Sequence, residues 1–253
     1  MKKIFFLFIL IGGAFYSSQG QGLYLNLAYG QGLYGFNDAP ALEDANITVA
    51  TNNIMNVQGN LGKGFAPFIG AGYFFNKYIG AELNVGYIKG NASTIFFSGE
   101  DRPYYEASDQ YTCAFLNPAV VLRLKNKSKF LPYAKLGLIL GFSNQLDGTR
   151  IGVYEKNSFN SSEDFNATIK YRGGLAAGFR GVVGADFMIS NKLAFFAELA
   201  LRLAHWTPAN NESSFIDGNG NTNINGNAIG MASTVNLNAL GLDIGLRYYF
   251  KNQ

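Results

Sequence analysis

His205 is the chain's single histidine, and Trp206, Thr207, Pro208 and then Glu212 follow it. An imidazole beside a hydroxyl, with a carboxylate to orient it, is the set of groups an acyl hydrolase uses to activate a nucleophile, provided that all three lie within hydrogen-bond reach. Spacing alone does not establish that reach. One histidine also removes the two-histidine zinc helix and any multi-histidine metal site. Asp217, Asn219, Asn221, Asn223 and Asn225 recur at every second position and resemble a calcium loop. That reading fails because the positions needing glycine and glutamate hold Thr222 and Ala228, so too little charge remains and a hydrated loop is expected. Gly70 with Gly72, and Gly173 with Gly174, do not open helices, so no phosphate cradle is expected there. No catalytic residue, cofactor or metal is assigned, and the expected protein is not an enzyme.

The chain that would position such groups has 253 residues, 48% hydrophobic and 15% charged, too apolar for disorder. Glycine is plentiful, at 31 of 253, and aromatics reach 15%. Residues 1–20 read as a secretory signal: Lys2 and Lys3, then an apolar run of about a dozen residues, then Ser18 and Gly20 before a cleavage point, too short to cross a bilayer as a helix. The mature domain is then 21–253, its net charge falls from +3 by the two lysines, and no basic patch for nucleic acid is expected. Cys113 is the lone cysteine, far from the signal, so neither an internal disulfide nor a lipid anchor at the cleavage point is expected. Sequons at Asn46, Asn91, Asn126, Asn160, Asn166 and Asn211 carry no functional weight in loops rich in Asn and Ser.

Eight segments alternate with period two: 21–30, 64–75, 78–88, 111–124, 131–142, 172–189, 193–204 and 240–250. In the last, Leu240, Leu242, Ile244, Leu246, Tyr248 and Phe250 share a face opposite Gly241, Asp243, Gly245, Arg247 and Tyr249, the signature of a strand. The seventh could pass for a helix, since Glu198 and Arg202 have i,i+4 spacing, but its neighbours decide for strand. Pro67 and Pro118 weaken the second and fourth segments, because proline gives the ladder no N–H.

The connections sort by length: short at 76–77, 125–129 and 190–192, long at 35–61, 90–109, 143–167 and 207–231. A soluble sandwich, the rival fold, has no reason to sort its loops by end, whereas outer-membrane barrels have short periplasmic turns and long external loops. The fold expected is therefore all-β, an eight-stranded antiparallel up-and-down transmembrane barrel with its Leu-rich face to lipid. Its opposite face lines the lumen and holds Glu82, Asp186, Glu198 and Asp243 with Arg123, Lys135, Arg180, Arg202 and Arg247. Four acids and five bases in so narrow a barrel should pair with one another. Tyr78, Phe130, Tyr248 and Phe250 fall at one level, as an aromatic girdle would, and His205 beside Trp206 would sit among lipid headgroups.

On these residues the chain resembles the small eight-stranded outer-membrane β-barrel proteins of Gram-negative bacteria, the OmpA-type transmembrane domain and its surface-protein relatives. The likeness covers 21–250, and its most specific part is the final strand, where Asp243, Gly245, Tyr248 and Phe250 match the signal such barrels present to the assembly machinery. Lys251, Asn252 and Gln253 follow, where many relatives stop at the aromatic. The resemblance implies an outer-membrane location, contact with membrane lipid and lipopolysaccharide, a monomer, and external loops available for recognition or adhesion of an unnamed ligand. Two alternatives stand beside this scaffold: a narrow porin-like channel, and a hydrolase similar to outer-membrane lipid A deacylases, in which Thr207 would replace the serine of their His-x-Ser pair.

Overall fold

A computed structural model describes residues 22–35, 54–58, 63–99, 102–124, 129–156, 161–217, 222–225 and 235–250. Eight strands close into an antiparallel barrel: β1 (Gly22–Gly35), β2 (Phe68–Phe74), β3 (Ile79–Gly90), β4 (Arg102–Arg123), β5 (Phe130–Lys156), β6 (Ala176–Met188), β7 (Leu193–Trp206) and β8 (Ala239–Tyr249). Each pairs with its sequence neighbours, and β1 pairs with both β2 and β8, so no edge is left in the barrel wall. Closure is what a membrane demands, because hydrocarbon offers backbone amides no other partner.

Alternation along the strands holds throughout the wall. On β1, Leu23, Leu25, Leu27 and Tyr29 are exposed while Tyr24, Asn26, Ala28 and Gly30 are buried. On β7, Phe195, Leu199, Leu201 and Leu203 face out, and Ala194, Phe196, Glu198 and Ala200 face in. The two prolines are accommodated differently. At Pro67 the second strand breaks, yet Gly64–Phe65 continues beyond it in unchanged register against both β1 and β3. At Pro118 the β4–β5 ladder skips two positions between Leu116↔Leu140 and Ala119↔Gly137. The Asn117 side chain donates to the Leu138 carbonyl at 2.5 Å, supplying a donor where proline has none.

Short turns at Phe75, Asn76, Lys77 and Tyr78 and at Ile189, Ser190, Asn191 and Lys192 lie at the end of the barrel that also holds Gly22 and Phe250. The opposite, long-loop end is more regular than the sequence indicates. Segments expected as loops are β-ribbons: β4 and β5 run past the barrel rim and pair from Tyr105↔Gly152 down to Thr112↔Gln145. Ser161–Arg172 adds to β5, Asn210–Asp217 to that strand, and Thr222–Asn225 beyond it; Ser93–Gly99 and Ile54–Gln58 add on the β4 side.

Arg172 is a correction. The alternation of the sixth segment carries it onto the lumen face, but it ends Ser161–Arg172, outside the barrel wall. Gly173 and Gly174, with φ of 73° and 74°, then turn the chain into β6, and a left-handed pair of this kind resets the alternation. A matching corner on β5 sits at Ser143, φ 54°. There a bulge lets the strand leave β6 (Gly141↔Ala176) for its ribbon partner (Gln145↔Arg172), as bulges at barrel rims do.

Candidate functional site

The strand faces that alternation turns inward fill the lumen in three layers. At the turn end Tyr24, Phe74, Val121, Tyr133, Ala194 and Tyr249 pack together. At the long-loop end a larger cluster includes Phe68, Tyr111, Cys113, Phe115, Phe196 and Trp206. Between them lies a layer of ion pairs, with Glu82, Asp186, Glu198, Lys135 and Arg247 all under 5% exposed.

Lys135 is its centre. Its Nζ bonds Glu82 Oε1 at 2.7 Å and Glu198 Oε1 at 2.6 Å, bridging β3 to β7 across the barrel. Arg247 reaches Asp186 at 2.5 Å, Glu198 at 3.5 Å and Glu82 at 3.6 Å. Arg180 pairs with Asp243, lies 3.6 Å from Glu198, and donates to Asn117 Oδ1 at 3.1 Å. The carboxylates also accept from neutral donors: Tyr24 and Asn84 to Glu82, Tyr133 to Glu198, Tyr249 to Asp186. Each acid thus meets a cation, and three of them a neutral donor as well, which buried carboxylates require. Rings enclose the cations: Arg247 lies 4.7 Å from the Phe196 centroid, 4.8 Å from Tyr133 and 5.0 Å from Tyr24.

All nine charges expected on the lumen face lie on it or at its rim, but not in one cluster. Arg123 lies over the Phe74 ring at 3.9 Å and donates to the Tyr249 hydroxyl at 3.5 Å. Arg202 is half-buried near the long-loop end, its Nε donating to Leu237 O at 3.2 Å. Sequence reasoning missed the tyrosines and asparagines of the network, although Tyr24, Asn84, Asn117 and Tyr249 lie at inward positions that alternation identifies.

The chain matches the family model of the outer membrane protein beta-barrel domain over residues 5–205, well over half its length. It belongs to that family. No curated protein matches it. Among solved structures it is similar to the outer membrane protein OprG from Pseudomonas aeruginosa, with 13% identity, 92% of this chain and 98% of that one covered, and a TM-score of 0.45. A major outer membrane protein from Thermus thermophilus gives 14%, 90%, 99% and 0.41, and CarO2 from Acinetobacter baumannii gives 16%, 79%, 100% and 0.33.

For an outer-membrane barrel the exposed Leu-rich face is the lipid face. On β8 it runs from Leu240 to Phe250, about ten residues at roughly 3.3 Å each; a tilt of about 40° makes a band about 25 Å tall, the apolar height of such barrels. At the turn end Phe130 packs against Phe187 with tilted rings (5.1 Å) and Tyr248 meets Phe250 edge to face (5.3 Å), with Tyr78 also exposed, so the aromatics expected as a girdle share the outer surface.

The His205–Trp206 pair is corrected. His205 is exposed on the outer face, but Trp206, its neighbour along the strand, is fully buried in the lumen. Trp206 lies 5.4 Å from the Tyr111 ring, and its Nε1 donates to Gly173 O at 2.7 Å. Tyr111 in turn donates to Asn144 Oδ1, whose amide donates to the carbonyls of Gly141 and Gly174, so both rim corners are tied to the long-loop aromatic cluster. Thr207 is exposed beside His205; the Glu212 side chain, Asn219, Asn221 and Ala228 lie outside the described residues. Among the described residues no group of three or more His, Cys, Asp or Glu could hold a metal.

Proposed function

We propose that this protein is a closed, non-enzymatic scaffold of the outer membrane, whose ribbons beyond the rim lie outside the cell and carry recognition or adhesion. What supports this is the filled lumen: an ion layer packs between two aromatic layers, and the cavity beside Arg180 and Asp243 measures only about 30 Å³, closer to a water molecule than to a conduit. On this reading the chain inserts as a monomer among lipid and lipopolysaccharide, after the assembly machinery has read Asp243, Gly245, Tyr248 and Phe250. Its mature domain is 21–253, following a cleaved signal.

The test is single-channel recording on the refolded barrel in a planar bilayer. A silent bilayer with correctly folded protein is expected; discrete current steps would overturn the scaffold and install the narrow channel. His205→Ala with a mass spectrum of lipid A tests the non-enzymatic part, where unchanged acylation is expected.

A further inference from the structure

Charge is distributed unevenly between the two ends of the barrel. Apart from the four lumen carboxylates, all of the 17 Asp and Glu residues fall within 35–61, 90–109, 143–167 and 207–231, the long-loop segments, where only Arg102, Arg150 and Lys156 oppose them. The short links at the opposite end, 75–78, 124–129 and 189–192, contain five lysines and no acid. Lys77, Lys129 and Lys192 are the described ones, and all three are exposed. Their backbones are fixed to the barrel end. The Lys129 carbonyl accepts from Met188 N at 2.8 Å and the Lys192 carbonyl from Tyr249 N at 2.7 Å, while Asn76 Oδ1, beside Lys77, accepts from the amides of Tyr78 and Ile79. Lys77 Nζ lies 4.8 Å from the centroid of the Tyr78 ring, and Lys129 directly precedes Phe130. Both rings lie exposed on the outer surface, so these ammoniums leave the fold where the apolar band ends. Within the wall, Glu82, Asp186 and Glu198 on the strands that these turns join are buried and engaged by Lys135 and Arg247, and offer the lysines no counter-charge.

We infer that the turn end is a docking surface for anionic glycerophospholipid, whose headgroup phosphates pair with Lys77, Lys129 and Lys192. Continuity with the lipid face places headgroups beside these side chains, and lysine stems lie along apolar surface while the ammonium reaches the polar layer. Basic residues at such a surface attract anionic lipid, and only this end of the barrel has a basic surface without acids. Spacing selects separate headgroups over one shared ion: successive turns are two strands apart, about 12 Å round the rim for strands about 4.8 Å apart and tilted by about 40°. With the ribbons outside the cell, as proposed above, the lipid is that of the inner leaflet. The preference itself depends neither on that orientation nor on whether the lumen conducts, so its failure and that of the scaffold are distinguishable.

The experiment uses the full barrel refolded into phosphatidylcholine vesicles, with spin-labelled phosphatidylglycerol and spin-labelled phosphatidylcholine as probes of the lipid held at the protein. A preference of about five-fold at each lysine should appear as at least about 1.5-fold for phosphatidylglycerol when averaged over all the lipid round the barrel. It should vanish near 1 M salt, where screening reaches within about 3 Å. Lys77→Gln, Lys129→Gln and Lys192→Gln together should remove at least half of the excess, and the same three positions changed to Arg should retain it. Arg102→Gln, Arg150→Gln and Lys156→Gln together take the same charge from the long-loop end and should leave it unchanged. Equal association of the two lipids with folded wild type overturns the inference and leaves the lysines to an acidic partner outside the membrane. A preference that survives the triple Gln variant in a folded barrel, or that falls equally in the long-loop variant, overturns it as well. Inorganic phosphate should lower the preference no more than chloride at matched ionic strength; a larger fall assigns the lysines to free phosphate and overturns the lipid.

Discussion

Replacing Lys135 with methionine removes the one ammonium that joins β3 to β7 and keeps most of its apolar volume. Its Nζ contacts both Glu82 and Glu198 within 2.7 Å, and all three side chains are within 1% of full burial. Breaking a buried pair by deleting one partner costs about 3–5 kcal/mol, mostly for the charge left behind. Here two carboxylates are left, but Arg247 stands 3.6 Å and 3.5 Å from them, and Tyr24, Asn84 and Tyr133 still donate. The lower end, about 3 kcal/mol, is therefore expected. With a urea slope of about 1–3 kcal/mol per molar, the midpoint moves down by about 1–3 M. The assay is urea unfolding of the barrel in lipid vesicles followed by fluorescence of Trp206, the sole tryptophan, which reports on the lumen. Adding Glu82→Gln should recover at least about 1 kcal/mol, since the second change removes one orphaned charge. A Lys135→Met midpoint within about 0.5 kcal/mol of wild type, or a double variant with purely additive losses, would refute the account of this layer as mutually dependent.

Gly72→Ala should destabilise by about 1–3 kcal/mol in the same assay, because a methyl there would overlap the Tyr24 ring. Gly181→Ala, with nothing near its outward position, should change stability by less than about 0.5 kcal/mol. Asn117→Ala should cost about 1–3 kcal/mol by stranding the Leu138 carbonyl and a contact of Arg180. Tyr248→Ala together with Phe250→Ser should slow assembly in cells, measured as accumulation of unfolded chain on a gel run without heating, and equal folded yields would count against the assembly signal.

The barrel wall is legible because lipid and a narrow lumen impose opposite demands on alternate residues, so a period-two reading of β3, β5, β7 and β8 recovers which side Glu82, Lys135, Glu198 and Arg247 take. The same rule, applied one residue further, turns Trp206 inward. The affinity of tryptophan for membrane interfaces points the other way, and strand geometry overrides that preference. Arg172 escapes the rule for another reason: two left-handed glycines between it and β6 reset the count, and nothing in the two-letter pattern reveals a positive φ. Beyond the rim the ribbons have no lipid to face, so alternation is no longer demanded and the segments resemble loops. Pairing partners within the lumen are not legible at all, since they depend on which strands lie opposite one another across the barrel.

That last point bears on why so many charges are tolerated where an apolar filling would be cheaper. A one-residue slip of β3 against β4 would turn Glu82 and Asn84 to lipid and Leu83 to the lumen, and every such slip exposes a charge to hydrocarbon while breaking bonds to Lys135 and Arg247. The turns at 75–78 and 189–192 are short, but the fourth and fifth strands extend into ribbons whose pairing alone does not fix the register inside the membrane. Ion pairs that span the barrel, β3 to β5 to β7 through Lys135 and β6 to β8 through both Arg180–Asp243 and Arg247–Asp186, tie each register to others not adjacent in the sheet. A barrel whose lumen is packed this way gives Glu82, Asp186, Glu198 and Asp243 each a cation in this register, so the interior specifies register as well as stability.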